Sequence, residues 1–381
     1  MVKTLKLLYW AALLAPTLAT AATYVDIPLT SVRDHAFTKD GYLLITAGNS
    51  LKEYDLATCS LNTLFDGGGQ LYGVDVSPDD TRIAVASRGV DQGNVKFLHT
   101  YRYQWRGYLP LSYPRTSLED GSYMPAFTSG GQLLLSGTFA GSGWTPLREF
   151  DLQAGSSVTR GSVRQDSMLV GGMQTSIIGI AEANISSGPV RAYSTRFASV
   201  MATFNTGWFM FELAMNPKGS RFVAPSYAGA FVLDLENGSF ADVGRIGQYA
   251  SHGPLSAVFS PDSTKLITAN WSFNLPAERG VRILDAQTLQ TLSVIDNYPF
   301  SWSGNSALGP GRLTLSRDGN WLAVTIANGV RLYDIGQELN GRSFAGCAHQ
   351  PIDTRAPVAP AGPQLSPADF DSYGRPVRAA Y

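Results

Sequence analysis

The chain has 381 residues, of which 44% are hydrophobic and only 15% charged, with a formal net charge of −1. The charged share lies well below the usual roughly 25%, and 39 glycines accompany an aromatic content of 11%. Such a composition suits a β-protein with frequent tight turns, and without a basic surplus nucleic acid is a poor candidate partner.

The first segment in chain order has the pattern of a targeting signal. Lys3 and Lys6 form a basic start, Leu7 to Leu18 is mostly apolar, and Ala19-Thr20-Ala21 fits a small-x-small cleavage site. The apolar run is too short for an ordinary membrane span, and no later stretch is apolar enough for one. Residues 1–21 are therefore expected to be a signal peptide, leaving a periplasmic or secreted chain of net charge −3 once Lys3 and Lys6 are removed. The next segment, Thr23–Leu29, reads as a strand.

From Phe37 onward a two-part phrase recurs. Its first half is a turn: FTKDG from Phe37, VSPDD from Val76, FTSGG from Phe127, MNPKG from Met215, FSPDS from Phe259 and LSRDG from Leu315. Its second half is a strand ending in aspartate, as in EYDL to Leu56, EFDL to Leu152, VLDL to Leu235, ILDA to Ala286 and LYDI to Ile335. A repeat of about 40–50 residues is the mark of a β-propeller. The fourth residue of each turn gives the markers Asp40, Asp79, Gly130, Lys218, Asp262 and Asp318. Gly130 to Lys218 is 88 residues, twice the 44 from Lys218 to Asp262, so a degenerate repeat belongs near residue 174. It has strand runs at Ser176–Ala181 and Pro189–Tyr193. The expectation is an all-β, seven-bladed propeller of four-stranded antiparallel blades over residues 22–350, closed by the chain ends. Thr23–Leu29 is expected as the outer strand of the last blade, with Ser343–Gln350 as the alternative.

The turn residues serve backbone geometry. The strand-ending aspartates are read the same way, as carboxylates accepting N–H groups of the next turn. The only two cysteines, Cys59 and Cys347, follow EYDL in the first repeat and LYDI in the last. Closure of a ring sets these repeats side by side, so a Cys59–Cys347 disulfide is expected, with two buried thiols as the alternative.

The turn FSPDS and the strands GVRLYDI and GVRILDA resemble the WD-repeat and YVTN-type propeller superfamily, over most of Thr23 to Gln350. The resemblance implies the fold and is nearly silent on activity. No Gly-His pair is present, and no Trp-Asp ends a blade. Neither Cys belongs to a CxxCH haem motif, and two Cys make no Cys-rich metal site. No cofactor and no metal are expected.

Insertions in repeat proteins gather on the working face. Extra residues fall between second and third strands at Arg88–Gly93, Gly137–Pro146 and Asn270–Gly280, and long linkers at Gly107–Ser122 and Tyr298–Gly311 open on the same side. They carry Tyr108, Tyr113, Trp144, Trp271, Phe273, Tyr298 and Trp302, of which Trp144, Trp271, Phe273, Tyr298 and Trp302 are the candidate ligand-binding residues. Exposed aromatics there suit stacking on sugars or gripping a peptide, unless they only pack the loops onto the ring. The starts of the innermost strands add Arg33, His35, Tyr72, Tyr123, Glu212 and Arg312, and His252 lies in a linker. These are the candidate catalytic residues, and an isolated histidine at a strand start can equally be structural. The leading reading is a non-enzymatic propeller holding a glycan, peptide or protein. The alternative is a lyase or hydrolase acting on a carboxylated or carbohydrate substrate at the channel mouth. No Walker, Rossmann, GxSxG or HExxH pattern is present. Residues 351–381, rich in Pro and Ala, read as an extended tail.

Overall fold

The computed structural model describes residues 23–351, except for 67–68, 89–90, 93–94, 103–106, 115, 117–118, 140, 142, 183–187, 250, 302–307 and 337–349. Runs of β-branched, aliphatic and aromatic residues between Gly-, Asp- and Pro-containing turns give short antiparallel strands in succession. β1 (Thr23–Pro28) precedes a first sheet of β2 (Val32–Phe37), β3 (Tyr42–Ala47), β4 (Ser50–Asp55) and β5 (Leu61–Asp66). The second sheet contains β6 (Gln70–Val76), β7 (Arg82–Arg88), β8 (Asp91–Gln92), β9 (Val95–Arg102) and β10 (Gly107–Pro114). It continues with β11 (Gly121–Phe127), β12 (Leu133–Thr138), β13 (Trp144–Asp151) and β14 (Ser156–Arg164). The third sheet holds β15 (Met168–Gly171), β16 (Ile177–Ala181), β17 (Pro189–Ser194) and β18 (Ser199–Asn205). The fourth holds β19 (Ala214–Met215), β20 (Arg221–Ala224), β21 (Ala230–Glu236) and β22 (Ser239–Ile246). The fifth holds β23 (His252–Phe259), β24 (Lys265–Ser272), β25 (Gly280–Asp285) and β26 (Thr291–Asp296). The last combines β27 (Leu313–Leu315), β28 (Trp321–Ile326) and β29 (Gly329–Asp334) with β1 and with β30 (Gln350–Pro351), in the order β27-β28-β29-β1-β30.

The core lies between neighbouring sheets. Successive side chains of a strand point to opposite faces, so β3 feeds two cores. Leu43 and Ile45 pack with Ala323 and Leu332 of the last sheet, whereas Leu44 packs with Leu71, Val74 and Ile83 of the second. Second strands are thus buried on both faces, and outer strands such as β14 are largely exposed. This is the β-propeller architecture: small antiparallel sheets of four-stranded type set around a central axis.

The expected count of seven separate blades is corrected to six sheets. The repeats beginning at β6 and β11 run together into one nine-stranded sheet through a pairing of Gly121 with Arg88. The reason is a close backbone approach that only glycine permits. A Cβ on Gly121 would lie 2.5 Å from the Ser87 carbonyl oxygen and 2.7 Å from the Arg88 Cα. The degenerate repeat is found as the third sheet, with strands at Ile177–Ala181 and Pro189–Ser194. The strand expected at 23–29 is β1, which pairs antiparallel with β29 from Thr23↔Asp334 to Pro28↔Gly329.

Two further expectations are set aside. The expected Cys59–Cys347 disulfide falls on Cys347, which lies outside the described residues. The signal segment 1–21 and the tail beyond Pro351 also lie outside them, and the signal peptide is not carried forward either.

The turn chemistry repeats at atomic level. Ser77, Ser260 and Ser316 each donate a 2.6 Å hydrogen bond to the aspartate two residues on, namely Asp79, Asp262 and Asp318. Each serine hydroxyl also accepts an N–H, at 2.9 Å, from Arg82, Lys265 or Trp321. The strand-ending carboxylates cap the next turn. Asp55 accepts from the Ala57 and Thr58 amides, Asp151 from Gln153 and Ala154, and Asp285 from Gln287 and Thr288. Asp234 departs from the pattern and instead holds Arg221 through two 2.6 Å bonds.

Candidate functional site

Loops between second and third strands and linkers between sheets share one end of the axis, the loop face. The Ser-Pro-Asp turns share the other, the turn face. On the loop face the third, fourth and fifth sheets bring five aromatic rings into one strip. Trp208, in the linker after β18, lies 5.1 Å from Tyr249 between ring centroids. Tyr249, in the linker before β23, meets Tyr227 edge-on at 5.4 Å. Tyr227 stacks on Trp271 at 6.0 Å and 3°, and Trp271 meets Phe273 at 4.8 Å. Tyr227 and Trp271 are buried and form the floor. Tyr249 is 47% exposed, and Trp208 and Phe273 are half-buried at the two ends. Trp271 reaches this place because β24 runs on to Ser272, where a short 3-10 turn, Pro276–Glu278, returns the chain to β25.

The expected aromatic anchors are therefore only partly together. Trp271 is 1% exposed, so it supports the strip rather than presenting a free face. Trp144 is exposed, with the Arg164 guanidinium 5.7 Å from its ring, and has no place in the strip. Tyr298 packs on Phe300 at 4.7 Å, and its hydroxyl accepts the Ala327 N–H at 3.3 Å. Tyr113 is buried under Arg148, whose guanidinium lies 4.3 Å from the ring centroid. Trp302 and the Tyr108 side chain lie outside the described residues. Trp208, Tyr227 and Tyr249 were missed by the sequence reading. Their signal was available: each stands in a segment between strands, 206–213, 225–229 or 247–251, but none of these segments was singled out as an insertion.

The residues expected at the channel rim separate into three groups. The first centres on Asp34, itself missed. A bulge between Val32 and Asp34 interrupts the β2–β3 ladder, and the Thr46 hydroxyl fills it by accepting the Asp34 N–H at 3.0 Å. Bulges of this kind re-aim side chains. Asp34 is fully buried, and its carboxylate accepts from Arg312 Nε at 2.8 Å and from the Val74 N–H at 3.0 Å. The same Arg312 forms an ion pair with the fully buried Glu212. One guanidinium thus ties the first, fourth and last sheets.

His35 stands beside this ion cluster and is 1% exposed. Thr314 Oγ1 donates to the His35 carbonyl oxygen at 2.8 Å, so it accepts from His35 Nδ1, also at 2.8 Å. That assigns the proton to Nδ1 and leaves the Nε2 lone pair buried without a partner. Burial pulls the imidazole down to about 4, with the nearby Asp34 charge opposing and Arg312 adding to the fall. His35 is consequently neutral at physiological pH.

The second group is Tyr72, which meets Tyr123 at 5.3 Å and lies 5.9 Å from the Arg33 guanidinium. Both tyrosines are largely buried. The third is His252, whose Nδ1 lies 3.2 Å from the Ser251 hydroxyl. It opens β23 opposite Ser272 and so adjoins the aromatic strip. Among the described residues no three His, Cys, Asp or Glu side chains gather to hold a metal ion. No helix among them is long and apolar enough to cross a membrane.

The fold defines the class: the chain is a β-propeller. No known family model matches it, and no curated protein matches it in sequence.

Proposed function

We propose that this propeller binds a glycan on its loop face, across the strip from Trp208 through Tyr249 to Phe273. The observation that carries the reading is an exposed ring, Tyr249, set on a buried aromatic floor of Tyr227 and Trp271. Sugars present C–H faces that stack on aromatic rings, and rigid rings lose little entropy on binding. The reading includes a periplasmic or secreted setting. The channel mouth supports an enzyme less well. Arg312 is already held by two carboxylates, which leaves it poorly placed to clamp a substrate carboxylate, and the one unpartnered lone pair of His35 is buried.

The test is a glycan array followed by calorimetry with the best oligosaccharide. Tyr249→Ala is expected to weaken binding by about 1–3 kcal/mol, as for a central hot spot, with little change in melting temperature. Trp271→Ala is expected instead to cost about 3–5 kcal/mol of stability, because it empties a packed site. An array without a retained glycan, or equal affinity in Tyr249→Ala, would remove the reading. Binding of an extended peptide that Tyr249→Ala abolishes would keep the site and change the ligand.

A further inference from the structure

Resting on the glycan reading, we propose that the ligand of the strip is an acidic glycan, a uronate whose ring carboxylate is taken by Arg279 at the Phe273 end. That end is built by the residues following Trp271. The Phe273 N–H donates to the Ser251 carbonyl at 2.9 Å, which fixes the strand end against the linker before β23. Ser272 Oγ accepts the Leu275 N–H at 2.9 Å and turns the chain toward Pro276–Glu278. Arg279 then reaches back over the turn. Its Nε donates to the Ser272 carbonyl at 3.0 Å and its Nη2 to the Phe273 carbonyl at 3.3 Å. A guanidinium is thus pinned to the backbone of the ring that closes the strip.

The chemistry of Arg279 selects the ligand. A guanidinium has five N–H donors and keeps its charge. Both bonds of Arg279 go to neutral carbonyls, and its end-on edge retains a donor on Nη1 and another on Nη2. Arginines nearby are matched to carboxylates. Arg282 lies 3.7 Å from Glu278, Arg245 pairs with Asp242, and Arg331 pairs with Asp26 and Asp296. Arg279 has no carboxylate partner among the described residues, and its neighbour Glu278 is the one taken by Arg282. Because Arg279 is half-buried, an anion meeting it there is screened less than at the open surface. His252 adds a second polar group. It is paired with Ser272 across the β23–β24 ladder, and its Nε2 has no partner among the described residues, so it can bond a ring hydroxyl. Tyr249 and Phe273 flank the same Tyr227 ring, at 5.4 and 6.5 Å. A sugar stacked on Tyr249 therefore places the next unit of its chain toward Phe273 and Arg279. A planar carboxylate on that unit can meet the guanidinium edge with two parallel bonds, whereas a neutral sugar leaves the charge unmatched.

The experiment uses the full chain on an array of three matched sets: uronate trisaccharides, their neutral methyl esters, and sulfated trisaccharides without a carboxylate. The uronate set is expected to be retained best. In calorimetry with the best uronate, methyl esterification and Arg279→Gln are each expected to weaken binding by about tenfold or more, as for a hydrogen bond to a charged group. Combining the two should weaken it little further, because both remove the same contact. Arg279→Lys, which keeps the charge without the fork, should lose less than Arg279→Gln. The acid–ester comparison on the wild type needs no substitution, so it decides the matter even if Arg279→Gln unfolds the loop. Acid and ester bound alike, both weakened by Tyr249→Ala, would overturn this proposal and leave the glycan reading standing. Retention of the sulfated set alone, or a uronate bound equally by Arg279→Gln and wild type, would also overturn it. An array with no set retained would remove both readings.

Discussion

At the scale of single residues, Asp75 shows what the axis does to a carboxyl group. It stands near the end of β6, where its oxygens accept the Phe127 N–H at 2.7 Å and the Val76 N–H at 2.8 Å. Loss of solvation pushes it up to about 6, against these two bonds and the Arg317 charge, while the Asp34 charge adds to the rise. Below pH 4 it is protonated in both the folded and the unfolded chain. Between about 4 and 6 only the unfolded chain ionises, so the contribution of Asp75 to stability falls as pH rises through that window and is level above it. Urea unfolding of wild type and Asp75→Asn across pH 4–7 isolates the effect. The stability difference is expected to move in favour of the variant by about 1–2 kcal/mol, discounted because the site keeps some water contact. A difference that does not vary with pH would show that the two N–H groups keep Asp75 ionised. Residues of this kind were not legible in the sequence. Asp34 and Asp75 stand in strands like any other polar residue, and partners such as Arg312 for Asp34 and Phe127 for Asp75 are far away in the sequence. Trp271 was legible as an aromatic in an insertion, but the ring that buries it, Tyr227, is 44 residues away.

Single elements were the most legible level, because turn and strand are written locally. The Ser-Asp pair, the capping aspartate and the period-two apolar run sit within a few residues of what they shape. What escaped is how two repeats join. The joining of β7 to β11 depends on one missing side chain at Gly121 and on a neighbour 33 residues earlier, Arg88. Gly121→Ala forces a Cβ against backbone atoms that cannot swing away, at 2.5 and 2.7 Å. It is expected to cost about 1–3 kcal/mol and to speed amide exchange along β7 and β11 before other strands. Unchanged exchange in those two strands would mean that the sheet does not depend on this approach.

The whole molecule is held at the axis by a cluster with one more negative than positive charge. Arg312 reaches Asp34 of β2 and Glu212 ahead of β19, so its removal leaves two buried carboxylates without their cation. Arg312→Leu is therefore expected to cost about 3–5 kcal/mol, since breaking a buried pair strands its partner. Adding Asp34→Asn and Glu212→Gln to the same chain should recover much of that loss in thermal unfolding. A triple variant no more stable than Arg312→Leu would show that the guanidinium acts by filling space. The propeller itself was legible at this scale from the repeat. The number of sheets was not, because a repeat counts phrases while a sheet is counted by hydrogen bonds across phrases.

The pairing of β1 with β29 has a consequence for the nascent chain. Thr23 and Asp334 are partners, yet 311 residues separate them in the order of synthesis. At about 5–20 residues per second, the first strand waits roughly 15–60 s for its partner to be made. Throughout that interval its hydrogen-bonding edge is bare, and Ile27, buried once paired, is open to any other strand nearby. The strand made first is among the last to be placed, and the interval before it docks is when the protein is most open to a wrong partner.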